Sequence, residues 1–306
     1  MPQNSNLATM INAGNFIITA ELLPLPTADS KAIENAAAFF KDRVTAVNVA
    51  DNPHGPILSS LAGAVILERA GVEAVYQMVT RDRNRIALQS DLLGSAALGI
   101  KNVLCLSGHH QSLTGSRESA SVYDIDSIQW TAAVKKMNED GVLLDGTKIV
   151  GDFSVLAGAV AAPDLKPMAL NLMRLAKKVA AGASFIQTQA VFDVDAFSLW
   201  MQQAHQLGFT SKTAILAGVM PLESASEAEI LRAKYTDLVI PDSVIDRLKA
   251  AGDAAGSSKE NMAQEGMALC VETIKKIRGM EGVRGIHILS GGKEHLVPEI
   301  IKKAGL

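Results

Sequence analysis

The sequence predicts an α/β protein built as a single (β/α)8 TIM barrel. Three observations predict it. The 306 residues are near the usual length of one such barrel, or of two smaller domains, and no linker divides them. Short apolar runs alternate with helical stretches eight times, the pattern of parallel strands joined by helices. Apolar residues make up 48% of the chain and aromatic residues only 4%, so Ala, Leu, Val and Ile must carry the burial. That balance suits strands covered on both faces. A doubly wound open sheet is the competing architecture. It would bring a glycine fingerprint after an early strand, and none follows the first strand here.

Residues 1–14 read as a polar extension and 15–306 as the barrel. Residues 16–22 form the first strand, stopped by Pro24 and Pro26, and a helix follows over 30–40. The second strand is 46–49, ending in a polar turn that runs from Asp51 to Gly55. The third is 74–79, followed by a helix over 85–98 that stops on Gly99. The fourth is 102–106. After it comes a Gly/Ser/His segment, 107–126, too long for an ordinary connection and therefore a candidate functional loop. A helix resumes at 127–138, and strand five is 153–160.

The helix over 167–181 places Leu172, Leu175, Ala176 and Val179 on one face. Strand six is 185–188, with a helix over 193–206, and strand seven is 214–219. Helical pieces at 225–235 and 242–251 lead to an Ala/Gly/Ser-rich loop over 251–258. A long helix spans 260–277, strand eight is 285–289, and a helix over 295–304 closes the chain.

The formal charge of −3 offers no basic field for nucleic acid or anionic lipid. Cys105 and Cys270 are too few and too isolated for a disulfide framework or a zinc site. No metal site is expected. The polar, Asn-rich start lacks the features of a secretory signal, and no apolar run reaches the ~20 residues that span a bilayer. A cytoplasmic protein is expected.

Barrel chemistry sits at the C-terminal ends of the strands. That rule selects Glu21, Asp51, Asn52, Gln77, the run Thr80–Arg85, Gly108, His109, His110, Gln187, Thr188, Gln189, His287 and the Ser290-Gly291-Gly292 turn. Glu21 is the most informative, because its strand is otherwise almost wholly apolar. Burial there raises a carboxyl pKa toward that of a general acid. A structural Glu paired with a barrel arginine is the competing reading. Gln189 offers an amide donor and acceptor to a heterocycle edge, or simply caps its strand. Three arginines in 80–85 either start a solvated helix or clamp an anion. His287 reads as a core histidine, and His109-His110 as loop histidines.

Several segments in order carry a family resemblance. They are Thr19-Ala20-Glu21-Leu22-Leu23-Pro24, Val47-Asn48-Val49-Ala50-Asp51-Asn52 and Thr80-Arg81-Asp82-Arg83-Asn84-Arg85. Further along come Gly99-Ile100-Lys101-Asn102-Val103-Leu104, Lys177-Lys178-Val179-Ala180-Ala181-Gly182-Ala183, Gln187-Thr188-Gln189-Ala190-Val191-Phe192-Asp193 and Gly218-Val219-Met220-Pro221-Leu222. Together they resemble the methylenetetrahydrofolate reductase family, in its shorter, flavin-dependent bacterial branch.

The resemblance implies interconversion of 5,10-methylenetetrahydrofolate and 5-methyltetrahydrofolate, with hydride carried by flavin N5. It implies Glu21 as the general acid, and Gln189 and Gln187 as substrate contacts. Around the flavin it implies Ala50, Asp51, Gln77, Ser107, Gly108, His109, Tyr123 and Lys178. FAD is placed ahead of FMN. The electron donor is NAD(P)H or a partner protein. The assembly is a homo-oligomer or a complex with an electron-transfer or zinc-containing subunit. One departure stands out: His109 follows Gly108 where many members carry aspartate. An anion in that role has to come from another carboxylate, such as Asp51. Two alternatives follow: a folate-binding paralogue in methyl transfer, and a flavin subunit of a larger electron-transfer complex.

Overall fold

The computed structural model describes residues 5–254 and 258–306. The first four residues of the polar start, and 255–257 of the Ala/Gly/Ser-rich stretch, lie outside the described residues. Eight parallel strands close into one barrel in sequence order. They are β1 (Ile17–Leu22), β2 (Ala46–Val49), β3 (Ala74–Val79), β4 (Asn102–Leu106), β5 (Leu156–Ala161), β6 (Phe185–Ala190), β7 (Ala214–Val219) and β8 (Val283–Ile288). The helices are α1 (Asn6–Asn12), α2 (Lys31–Phe40), α3 (Ser60–Arg69), α4 (Arg85–Ala97), α5 (Ser127–Asp140) and α6 (Met168–Ala180). After β6 come α7 (Val194–Gln206), α8 (Ala225–Lys234), α9 (Asp242–Asp253), α10 (Ser258–Ile277) and α11 (Val297–Ala304). Among the described residues, no helix is long and apolar enough to cross a membrane.

Alternation along each strand sorts side chains into two cores. Ala20, Leu22, Val47, Val49, Val103 and Cys105 face outward against the helices. Ile17, Ala46, Val75, Leu104, Leu156, Phe185 and Leu216 face inward and fill the lower barrel. Phe185 occupies the space beside Gly158, where a Cβ would lie 2.2 Å from its ring. The next inward layer is polar: Thr19, Asn48, Gln187 and His287 bond to one another. Above it lie Glu21, Gln77 and Gln189. Chemistry-bearing residues thus share one inner face because they stand two apart on their strands.

The polar start contains α1, whose Leu7, Ala8 and Ile11 are buried beneath the barrel. Its first backbone N–H groups, on Asn6 and Leu7, donate to the Glu73 carboxylate at 2.6 and 2.9 Å. Helix α3 has no counterpart in the sequence reading. Its core, Leu61 to Leu67, is an unbroken apolar run that lacks helical periodicity. Strand β5 begins at Leu156 rather than at 153. The Asn138 side chain bonds both the N–H and the carbonyl of Val155, which takes that residue out of the ladder. Helix α9 runs to Asp253, into the stretch expected to be loop. The segment 107–126 is irregular apart from one 3-10 turn, Gln111–Leu113.

Candidate active site

A cavity of about 500 Å³ opens at the C-terminal end of the barrel. Its walls hold Glu21, Asp51, Gln77, Ser107, Gly108, His109, Lys178, Gln187 and Gln189. The fold therefore brings together nine of the eleven residues to which the family resemblance gave a role. Ala50 and Tyr123 do not reach the wall. Ala50 is buried at the end of β2. Tyr123 sits behind the β4 exit, its hydroxyl donating to the Gly108 carbonyl at 3.4 Å.

Glu21 ends the inward row of β1. Gln77 Nε2, from β3, donates to its Oε2 at 3.0 Å. No ion pair involves Glu21 among the described residues, so the expected arginine partner of a structural Glu is absent. Burial pushes its carboxyl up to about 7, opposed by the Gln77 hydrogen bond and assisted by the nearby Glu294 charge. Glu294 is itself held by the Leu23 N–H and the Ser290 hydroxyl.

Gln187 lies in the cavity floor. It exchanges hydrogen bonds with Asn48 at 2.7 and 3.0 Å and also approaches Thr19 and His287. Both of its N–H groups are spent there. Burial drives His287 down to about 3, so it is a neutral core histidine as the sequence indicated. Gln189 comes from a bulge in β6, where the pairing with β7 shifts register between Gln187 and Ala190. Thr188 Oγ1 takes over as acceptor for the Gly218 N–H at 2.8 Å. A Cβ at Gly218 would lie 2.3 Å from the Thr188 carbonyl and 2.6 Å from that of Gln189. Glycine at 218 is what lets the bulge close over β7, and bulges re-aim side chains.

Asp51 is not free to move toward His109. Its Oδ2 accepts from the Val79 N–H at 2.9 Å and from Arg83 Nη1 at 2.6 Å. The other arginines of the 80–85 run are also paired, which removes the reading of that run as an anion clamp. Arg81 holds Asp82 and the carbonyls of Asn52 and His109, and Arg85 holds Asp124. Arg81 thereby staples the loops after β2, β3 and β4 together.

Lys178, on α6, donates to the Val160 carbonyl at 2.6 Å and forms no ion pair among the described residues. Burial, with help from Arg174 one turn away, lowers its ammonium to about 8. Lys178 and Arg174, two cations on one cavity wall without a carboxylate partner among the described residues, fit a phosphate-bearing ligand. Gly108, with φ +79°, exposes backbone on the same cavity, and a Cβ there would lie 3.2 Å from the Arg81 side chain.

Sequence reasoning missed Arg174, which the i, i+4 spacing from Lys178 would have found. It also missed His54, Tyr235 and Asp237. Tyr235 contacts His54 Nδ1 through its hydroxyl at 3.3 Å and packs on the His109 ring at 5.0 Å. These contacts join loops far apart in sequence, and no local signal marks them.

A Clostridium thermocellum protein, described as binding two copies of 5-methyl-5,6,7,8-tetrahydrofolic acid, shares the fold. The TM-score is 0.67 at 13% identity, over 99% of this chain and 100% of that one. A probable methylenetetrahydrofolate reductase (NADPH) of Caenorhabditis elegans is 25% identical over 81% of this chain. The chain spans only 34% of that protein's length, and 21% of methylenetetrahydrofolate reductase 1 of Schizosaccharomyces pombe. The 5,10-methylenetetrahydrofolate reductase of Pectobacterium carotovorum is 24% identical over 79% of this chain and 72% of its own. The family model described as methylenetetrahydrofolate reductase matches residues 6–305, nearly the whole barrel. By that match the chain belongs to the methylenetetrahydrofolate reductase family.

Proposed function

We propose that this chain interconverts 5,10-methylenetetrahydrofolate and 5-methyltetrahydrofolate, with Glu21 as the proton donor. The observation that carries the reading is Glu21 itself: a carboxyl on the cavity wall, with no cation partner among the described residues, whose pKa of about 7 keeps a proton available near neutrality. Opening the imidazolidine ring requires a proton on N10, and Glu21 delivers it. The Gln77 amide then stabilises the carboxylate left behind, through the hydrogen bond it already makes. Gln189 orients the pterin, while Gln187 fixes the polar floor beneath it. Bound reduced flavin supplies the hydride. Lys178 and Arg174 suit its phosphate, and Ser107, Gly108 and His109 line the cavity nearby. The donor that reduces the flavin is NAD(P)H or a partner protein, and names of relatives include both NADPH and NADH enzymes.

The purified chain is expected to be yellow, to release FAD or FMN on denaturation, and to bleach on reduction. Colour then returns on adding methylenetetrahydrofolate. A colourless protein that binds neither flavin overturns the flavin half of the reading. Methyl transfer indifferent to flavin replaces it with a methyl-transfer role.

Lys178 adds a pH dependence. Its ammonium, lowered to about 8, is charged below that value and neutral above it. Affinity for added flavin, followed by fluorescence quenching, therefore falls as pH rises through 8. Lys178→Met binds more weakly at pH 6.5 and loses this pH dependence.

A further inference from the structure

We propose that Asp237 is a specificity-determining residue: with Gln189 it forms a two-residue acceptor for a ligand edge carrying two adjacent N–H donors. This rests on reading the cavity as a reduced-folate site, because the 2-amino-4-oxopyrimidine ring of a folate presents such an edge.

Asp237 lies in the turn after α8, between Tyr235, which is tied to His54, and Leu238, which is buried. It is half-buried and lines the cavity. Gln189 Nε2 donates to its Oδ2 at 3.0 Å. That contact has two consequences. A carboxylate only accepts hydrogen bonds, so the amide must turn its nitrogen toward Asp237. The orientation of Gln189 is thereby settled, with Oε1 left as an acceptor for a ligand.

The second consequence concerns Asp237 itself. A half-buried carboxylate has about four acceptor positions, and one amide N–H fills a single one. Among the described residues it makes no ion pair. Lys234, three residues earlier, is turned to His54 and the Tyr235 ring. Asp51, on the same cavity, has both a guanidinium and a backbone N–H. Among the described residues Asp237 thus has acceptor positions to spare, as Glu21 does across the cavity, whereas Asp51 does not. Paired with Gln189 Oε1, Asp237 selects ligands that bring N–H groups and rejects edges that bring carbonyls.

The test titrates the purified chain, with any bound cofactor retained, with 5-methyltetrahydrofolate and with its 2-desamino analogue. The unmodified chain is expected to bind the analogue about 10- to 100-fold more weakly, the worth of a hydrogen bond to a charged group. Asp237→Asn is expected to weaken 5-methyltetrahydrofolate by a similar factor and to lose most of the discrimination between the two. Equal affinity of the unmodified chain for both ligands overturns the proposal, and that comparison needs no variant to fold. Full discrimination retained by Asp237→Asn overturns it as well. An unmodified chain that binds neither ligand overturns the folate reading beneath it.

Discussion

If Glu21 is the proton donor proposed above, Glu21→Gln is expected to lower folate turnover by about 10²- to 10⁴-fold, the usual worth of a general acid, and to make the protein more stable at alkaline pH. Both effects have one origin. Burial without a cation raises the carboxyl from 4.5 to about 7. In the unfolded chain the carboxyl ionises near 4.5, whereas in the folded chain it holds its proton until about 7. The stability this group contributes is complete below 4.5. It declines as pH rises and is lost once pH passes 7. The difference is roughly 3 kcal/mol. Glutamine keeps the shape and carries no charge, so the variant escapes the penalty. Denaturant titrations at pH 5 and pH 9 test this: the variant gains over the unmodified protein much more at pH 9. Turnover assays complete the test, since flavin reduction by nicotinamide or an artificial donor should survive while folate reduction fails. Undiminished folate turnover in the variant would falsify the assignment of Glu21.

Arg83→Met destabilises the fold by about 3–5 kcal/mol, the usual cost of stranding one partner of a buried ion pair. The Asp51 side chain is 1% exposed and that of Arg83 15%. Arg83 also reaches Asp91, so one guanidinium serves two carboxylates. Its loss leaves Asp51 with only the Val79 N–H. The double variant Asp51→Asn with Arg83→Met is expected to recover most of the loss, because it removes the stranded charge. Denaturant midpoints of the three proteins measure the coupling directly. A double variant as unstable as Arg83→Met alone would assign the loss to packing rather than charge.

The strands were legible because each is a short apolar run bounded by turn residues. The mouth was legible in part because barrel geometry selects strand ends. Glu21 stood out as one acid in an apolar strand, and its pKa follows from that same contrast. Helix α3 was not legible, because its partly exposed positions, such as Leu61, Val65 and Ile66, are as apolar as the buried Gly63, Ala64 and Leu67, so the sequence carries no helical period. The start of β5 was hidden for another reason: the Asn138 side chain replaces a neighbouring strand as partner of Val155. Gln77 was read as a cofactor contact, and its hydrogen bond to Glu21 depends on the register of β1, β2 and β3. Asp237 was silent in the sequence, since its meeting with Gln189 requires the β6 bulge and the end of α8 together.

Helix α1 gives the barrel a closed end. Leu7, Ala8 and Ile11 press against a lower core already filled by Phe185 and its neighbours. Among the described residues, that end of the barrel is plugged, and the cavity lies at the other, among the C-terminal ends of the strands. Tyr235 stands in the wall of that open end, held by His54 and His109, so the plugged end serves as a rigid base and the variable loops gather at the other.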